Sequence, residues 1–196
     1  MRSRGSWPLK YLSLLFFLAA CVATREISPP YKPRVEALVR QLTDRPYSVH
    51  IVENLPFIAR VDLRTQYIQL NAQWADVLMS KDPNVLRAIL AHEIAHDKLG
   101  HRYVPADDRH ALQQIETEAD QEAVRMLHAR GYDPRDYLRA MKMFKEIEDK
   151  NPRGSREQFY STHPYAGERL EKIQIMIQAL GPVPRNPGGK NEGKPQ

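Results

Sequence analysis

The sequence predicts an α+β domain that is mostly helical, with a small β-sheet near its amino end. Short runs of alternating or β-branched apolar residues lie between residues 47 and 70, which is typical of strands. From residue 82 to residue 180 the apolar residues recur at helical spacing instead. The chain has 196 residues, of which 42% are hydrophobic and 27% charged, and this is sufficient for one domain with a buried core.

The amino-terminal elements of this domain are expected to be a helix, three strands and a second helix. Residues 34–42 place their apolar side chains on one helical face. Strands are expected over residues 47–53, 58–63 and 67–70, where the residues alternate or are β-branched. Residues 72–79 are expected to form the second helix.

Longer helices are expected in the rest of the domain. One should begin at Asp82-Pro83, because an N-cap side chain is followed there by a proline in the first turn. It should stop at Gly100, since glycine commonly ends a helix. Further helices are expected over residues 110–130, 134–149 and 166–180.

The start of the chain has the pattern of an export signal. Residues 1–20 begin with basic residues, continue with an apolar run and end with small residues before Cys21, as secretory signal peptides do. The apolar run is shorter than the roughly 20 residues that span a bilayer. We therefore expect this segment to be removed rather than kept as an anchor.

The signal ends in a lipidation motif. Leu18-Ala19-Ala20-Cys21 resembles the bacterial lipobox, in which the cysteine is lipidated and becomes the first residue of the mature chain. Cys21 is the one cysteine in the sequence, so it cannot form an intramolecular disulfide. By resemblance to lipoproteins of two-membrane bacteria, Val22 favours the outer membrane, with the protein facing the periplasm. A buried thiol, or an ordinary signal peptide cut nearby, stays open as an alternative.

The remaining chain is expected to be a tether, one domain and a tail. Residues 21–33 contain three prolines and are expected to be a lipidated, semi-extended tether. Residues 34–180 are expected to be the domain. Residues 181–196 are rich in proline and glycine and almost without apolar residues, so we expect a disordered tail.

The charge of the chain does not indicate a nucleic-acid partner. The formal net charge is +5, but Arg2, Arg4 and Lys10 lie in the expected signal peptide. The folded part is therefore close to neutral, and it has no basic stripe with interleaved aromatic residues. Binding to nucleic acid is not expected.

A metal-binding pattern, His92-Glu93-Ile94-Ala95-His96, lies inside the first long helix. Residues four apart lie about 40° from each other around a helix axis, so both imidazoles can bind one ion. Glu93 is placed to reach a water on that ion, and zinc lowers the pKa of such a water to about 7. The alternative is a helix with two solvated histidines.

A catalytic zinc site needs three protein ligands and one open position. Glu116 lies on the next long helix, with Asp120 one turn beyond it on the same face. Glu116 is the candidate third ligand, and Asp120 could accept a hydrogen bond from a ligand imidazole. The alternative for both is a solvated acidic face, which is our interpretation of Glu118 and Glu122.

His101 is a rival for the third ligand position. Gly100 is expected to break the helix just before it, and the longer metzincin pattern has a histidine where Arg102 stands. Glu116 is therefore ranked above His101.

These motifs together resemble the M48 zinc metallopeptidases, which include the membrane CAAX-processing protease, the heat-shock protease of the bacterial inner membrane and the mitochondrial Oma-type protease. The resemblance covers about residues 35–180 and is closest to the small periplasmic lipoprotein members. It implies a zincin-like metallopeptidase domain. Four motifs carry it in order: His92-Glu93-Ile94-Ala95-His96, Glu116-Thr117-Glu118-Ala119-Asp120, Gly131-Tyr132-Asp133-Pro134, and Thr162-His163-Pro164 followed by Arg169-Leu170.

The resemblance implies roles for individual residues. Glu116 is the implied third zinc ligand, and Asp120 supports the site. The family's histidine at the position of His163 lies near the metal, where it can occupy the open zinc position or steady the oxyanion. Tyr160 and Arg169 are weaker candidates for oxyanion or structural support. Residues 151–159 could form a loop over the cleft.

One stretch departs from the family pattern. Many members have a proline and glycines before the strand that leads to the active-site helix, but residues 57–62 have none. An edge strand is expected near residues 67–71, where a substrate could add as an extra strand. The departure therefore bears on substrate preference and not on the zinc chemistry.

These expectations combine into a zinc-dependent endopeptidase of the bacterial cell envelope, with one Zn²⁺ per chain and Glu93 as general base. Its expected substrates are misfolded or unassembled envelope proteins. An alternative from another class stays open: a lipoprotein that binds outer-membrane assembly components, with a zinc site capped by His163 and rarely active. A purely structural zinc site is disfavoured because Glu93 would then have no task.

Overall fold

The computed structural model of the chain describes residues 23–62, 64–102, 104, 108–150 and 166–184. Within these residues the predicted α+β class is confirmed, with a small sheet on the amino-terminal side and helices over the rest. The strands are β1 (Arg25–Ile27), β2 (Ser48–Glu53), β3 (Ala59–Asp62) and β4 (Tyr67–Asn71). The helices are α1 (Lys32–Leu42), α2 (Ala72–Lys81), α3 (Pro83–Lys98), α4 (Arg109–Ala129), α5 (Arg135–Lys150) and α6 (Ala166–Ala179).

Several sequence predictions lie outside the described residues. They are the signal peptide and the lipidation site Cys21, the loop over residues 151–159, Tyr160, His163, and the tail from residue 185 onward. Among the helices that are described, none has the length and hydropathy that crossing a membrane requires.

The sheet has the order β1-β2-β4-β3. The β2 and β4 strands are parallel, while β1 and β3 are antiparallel to their neighbours. The prediction of an edge strand at residues 67–71 was therefore wrong, because β4 lies inside the sheet with Ile68 and Leu70 fully buried. The edge strand that packs against α3 is β3. Residue alternation identifies a strand but does not encode its neighbours, which long-range packing decides.

The first strand was not predicted, since residues 25–27 fall within the expected tether. They pair with residues 51–53 of β2, and Arg25 forms an ion pair with Glu53 at 2.9 Å. Pro33 lies in the first turn of α1 rather than in an extended linker. Proline suits both a linker and the first turn of a helix, which is why composition alone misled the prediction.

Helix ends are set by capping residues close to the predicted positions. The side chain of Asp82 accepts from the N–H of Val85 at the start of α3. At its end Gly100 has a φ of +67°. The Gly100 N–H donates to Asp97 O and the His101 N–H donates to His96 O, both at 3.0 Å. These two bonds are those of a Schellman motif.

Helix α3 lies at the centre of the fold, packed against α1, α2, α4, α5 and β3. Ala88, Ala91 and Ala95 are completely buried on it. Because alanine side chains are small, neighbouring elements can approach this helix closely on several sides. The metal-binding pattern therefore lies in the interior of the domain, where packing limits the movement of its side chains.

Candidate metal centre and active site

Three buried donor side chains converge where α3 packs against α4. His92 and His96 lie one turn apart on α3, and their Nε2 atoms are 3.0 Å from each other. Glu116, on α4, places Oε2 3.4 Å from Nε2 of His92 and Oε1 3.4 Å from Nε2 of His96. The side chain of Glu116 is 1% exposed. Two imidazoles and a carboxylate thus face one point in the interior.

The geometry of these donors fits one zinc ion. Zinc–nitrogen and zinc–oxygen bonds of about 2.0–2.2 Å at tetrahedral angles place donor atoms about 3.3–3.6 Å apart. The Nε2 atoms of His92 and His96 are 3.0 Å apart, and each lies 3.4 Å from a different oxygen of Glu116. One donor atom from each of the three residues lies within 4.8 Å of the others. Two histidines and a glutamate also form the ligand set of catalytic zinc, which leaves the fourth position open.

The ring of His92 is oriented by a buried network on its far side. Its Nδ1 lies 2.8 Å from the hydroxyl of Tyr137 and 3.3 Å from Oδ1 of Asp120. The Tyr137 hydroxyl donates to Oδ1 of Asp120 at 2.5 Å. Burial, together with the charge of Asp120, raises the pKa of Tyr137, so the hydroxyl keeps its proton. His92 therefore presents Nδ1–H to these oxygens and the lone pair of Nε2 to the metal position.

Arg169, on α6, compensates the two buried carboxylates of α4. Its Nη1 lies 2.7 Å from Oε2 of Glu116, its Nε donates to Oδ2 of Asp120 at 2.7 Å, and its Nη2 bonds Oδ1 of Asp120. Arg169 is only 3% exposed. Burial by itself raises the pKa of Asp120, but the adjacent guanidinium outweighs burial and lowers it. The carboxylate of Asp120 can therefore remain ionised in the interior.

The two ligand histidines differ in protonation when no metal is bound. Burial lowers the pKa of His92, but hydrogen bonds with Asp120 and Glu116 outweigh burial and raise it to about 9. Burial lowers the pKa of His96 below its ordinary value, against the opposing effect of Glu116. A metal ion therefore has to displace a proton from His92.

Glu93 lies between the donors and the edge of the sheet. Its Oε2 accepts a hydrogen bond from the backbone N–H of Val61 on β3, at 3.0 Å, and the residue is 3% exposed. Asn71 N–H donates to Ile58 O on the other side of β3. Since hydrogen-bonded pairs alternate along an antiparallel ladder, the backbone groups of Ala59 and Val61 point away from β4. Glu93 is thus held at the outer edge of β3.

His101 does not join the three donors. It is buried, and its Nδ1 lies 2.9 Å from Nδ1 of His96, on the side of that ring away from the donor cluster. Its Nε2 lies 3.1 Å from Oε2 of Glu118. The backbone turn at Gly100 brings His101 back over α3, so this residue lies behind a ligand and not among the ligands.

The structure brings together most of the residues that the sequence singled out, namely His92, Glu93, His96, Glu116, Asp120 and Arg169. It places Arg169 on the carboxylates behind the donors. Sequence reasoning missed Tyr137 as a functional residue. The available signal was weak: a tyrosine on the apolar face of α5 is usually part of the core.

Comparison with known proteins bears directly on this arrangement. Residues 112–177 match the family model of peptidase family M48. The match confirms the family that the motifs predicted and covers about a third of the chain. It includes Glu116, Asp120, Tyr137 and Arg169, while His92 and His96 precede it. No curated protein gives a significant match. Family M48 is zinc-dependent, so the match indicates a metallopeptidase in general terms, and the buried cluster of two histidines and a glutamate is a possible zinc site.

Proposed function

We propose that the protein is a zinc-dependent endopeptidase of the bacterial cell envelope. The observation that carries the proposal is the buried convergence of His92, His96 and Glu116, with Glu93 beside them at a sheet edge. Zinc in such a site activates a water molecule and polarises the scissile carbonyl. The family match supports the general activity.

The residues of the chain divide the remaining work. His92, His96 and Glu116 would hold the ion. Asp120 and Tyr137 orient His92, and Arg169 pairs with Glu116. The carboxylate of Glu93 accepts a proton from the attacking water and passes it to the leaving amine. Burial of the whole group excludes bulk water, which strengthens each of these electrostatic interactions.

The outer edge of β3 is the proposed substrate site. The backbone N–H and C=O of Ala59 and the C=O of Val61 point outward along it, whereas the N–H of Val61 is bonded to Glu93. An extended peptide can pair with the remaining groups of such an edge. A strand of four residues spans about 13 Å, so it can engage only a short extended segment. Misfolded or unassembled envelope proteins expose segments of this kind, which supports them as substrates.

The place of action follows from the amino-terminal sequence. Residues 1–20 and the lipobox ending in Cys21 support export, lipidation and attachment to the outer membrane with the domain in the periplasm. Outer-membrane assembly components are the proposed neighbours of the enzyme there. A Cys21→Ser variant, fractionated with the membranes, tests the anchor: loss of the variant from the membrane fraction is the expected result.

The enzyme proposal is tested with the soluble form, residues 22–196, and its Glu93→Gln variant on unfolded casein. Both proteins should hold one zinc ion, because Glu93 is not a ligand, and only the wild type should cleave. Zinc content measured on the same samples is the control for an intact site.

Two outcomes would count against this proposal. Equal cleavage by both proteins would remove Glu93 from the mechanism. If both proteins hold zinc and neither cleaves casein, a His163→Ala variant distinguishes two remaining hypotheses, a gated protease and a docking lipoprotein. Restored cleavage would indicate a gated protease, whereas continued inactivity would favour a docking lipoprotein with a capped site.

A further inference from the structure

The end of α3 has an unusual polar contact. In a Schellman motif the second residue after the helix cap returns over the last turn, where an apolar contact commonly forms. Here that residue is His101, and it returns over His96. Their Nδ1 atoms lie 2.9 Å apart in the buried interior. The backbone turn therefore connects a ligand histidine to a second histidine.

The same backbone motif ends α4, and there the contact is different. Gly131 has a φ of +78°, its N–H donates to His128 O, and the N–H of Tyr132 donates to Leu127 O at 2.9 Å. Tyr132 packs against the apolar core that includes Leu127. Since the motif needs no polar pair at α4, the histidine pair at α3 is not required for helix termination.

The hydrogen-bond directions at His101 follow from the role of His96. If Nε2 of His96 faces the metal position, its proton is on Nδ1, which then donates to Nδ1 of His101. His101 must carry its own proton on Nε2, and this atom lies 3.1 Å from Oε2 of Glu118. The other carboxylate oxygen of Glu118 accepts from Nε2 of Gln114 at 2.9 Å. Every donor in this chain of contacts meets an acceptor.

We propose that His101 and Glu118 are positioning residues for the metal ligand His96. Glu118 orients His101, and His101 fixes both the tautomer and the ring plane of His96, so that Nε2 points at the donor cluster. A partner on the second ring nitrogen is what metal-ligating histidines generally require. The inference rests on the proposed metal site but not on peptidase activity.

The test compares variants of the full-length protein, purified in detergent, by chelator competition for zinc and by the visible spectrum of the Co²⁺ form. His101→Phe removes the acceptor and should weaken zinc binding about 10- to 100-fold. His101→Gln keeps an acceptor oxygen and should recover part of this loss. Glu118→Gln should weaken binding less, because the side chain of Glu118 is 44% exposed.

Glu122→Gln is the matched control, one turn along α4. Glu122 pairs with Lys98 and Arg125 rather than with a histidine, so its loss should leave zinc affinity within about twofold of wild type. The Co²⁺ spectrum should change in the His101 and Glu118 variants and not in this control. Thermal unfolding of the metal-free proteins separates an altered site from an altered fold.

The proposal is overturned if His101→Phe and Glu118→Gln both bind zinc within about twofold of wild type, or if Glu122→Gln weakens binding equally. If His101→Phe does not fold, Glu118→Gln decides alone. The test measures zinc binding and not peptidase activity. An inactive wild type would therefore contradict the enzyme proposal, but the zinc affinities of the variants would still decide the positioning role of His101 and Glu118.

Discussion

The two ligand histidines of α3 are supported in opposite ways. Behind His92 the partners Tyr137 and Asp120 are buried, and the carboxylate is neutralised by the buried Arg169. Behind His96 the partner His101 is buried, but the chain of contacts ends at Glu118, which is 44% exposed. We call Tyr137, Asp120 and Arg169 the sealed arm, because these partners of His92 are buried. His101 and Glu118 form the open arm, because this chain of contacts behind His96 reaches solvent.

This difference indicates which arm the fold depends on. A carboxylate taken out of water needs a cation and donors, because an unpaired charge in the interior is costly. An exposed carboxylate is solvated and its loss changes stability little. The His92 arm should therefore matter for folding and metal binding together, and the His96 arm mainly for metal binding.

The largest expected effect follows from breaking the sealed arm. Arg169→Met should destabilise the metal-free protein by about 3–5 kcal/mol, since Glu116 and Asp120 lose their shared cation. Arg25→Met is the control, because Arg25 is 72% exposed and its partner Glu53 is also on the surface, so this variant should lose less than about 1 kcal/mol. Denaturant unfolding measures both, and equal losses would contradict the comparison.

The pH dependence should also reflect the sealed arm. The pKa of His92 is raised to about 9 in the folded metal-free protein, above its unfolded value of about 6.5. Its contribution to stability is therefore complete below pH 6.5 and is lost as the pH rises towards 9. Zinc affinity should change in the opposite sense, rising about tenfold per pH unit across this range.

Thermal unfolding of chelator-treated protein and zinc competition between pH 6 and pH 9 measure the two trends. His92→Gln removes the titrating group and is the reference for the thermal measurement. An unchanged pH slope in that variant would assign the effect to another residue.

A smaller effect is expected from removing one hydroxyl of the sealed arm. Tyr137→Phe removes the hydroxyl that bonds both His92 and Asp120 and should destabilise the protein by about 1–3 kcal/mol. It should also weaken zinc binding. Tyr47→Phe is matched, because the Tyr47 hydroxyl bonds Asp97 away from the donor cluster. That variant should lose stability at unchanged zinc affinity, and a parallel loss of affinity would be evidence against the assigned role of Tyr137.

The smallest effect concerns the turn that forms the open arm. Gly100 and Gly131 both have positive φ, so alanine at either position should cost about 1–2 kcal/mol. No atom lies within 4 Å of a Cβ at Gly100, so strain and not a clash is the cause there. Zinc affinity should fall several-fold in Gly100→Ala only, because that turn carries His101. Equal zinc affinities in the two alanine variants would show that the turn at Gly100 does not influence the metal site.

Local chemistry explains what the sequence could predict. The N-cap at Asp82, the proline after it and the glycine at position 100 indicated the limits of α3, and spacing within that helix placed His92 and His96 on one face as candidate ligands. Glu116 and Asp120 required the family motif, since acidic residues on a helix are usually solvated. In each case the signal lies within a few residues of the element that it describes.

Contacts across long sequence separations could not be predicted in the same way. Arg169 is 49 residues from Asp120, and Tyr137 is 45 residues from His92. The contact of His101 with His96 was not predicted, for a more local reason. Gly100 does end the helix, as predicted, but the left-handed turn at that glycine returns the chain to the helix instead of leading it away.

The pairing of β1 has a consequence for where the proposed enzyme could work. The carbonyl of Ala23 already accepts from Nδ2 of Asn54, so the fold begins two residues after Cys21. An extended chain spans at most about 3.6 Å per residue, so a lipid on Cys21 would hold Arg25, where β1 begins, within about 14 Å of its attachment point. The β3 edge lies three strand spacings further, about 14 Å. A protease tethered this closely would sample a layer about 28 Å deep along the membrane surface and would meet proteins as they arrive at that surface.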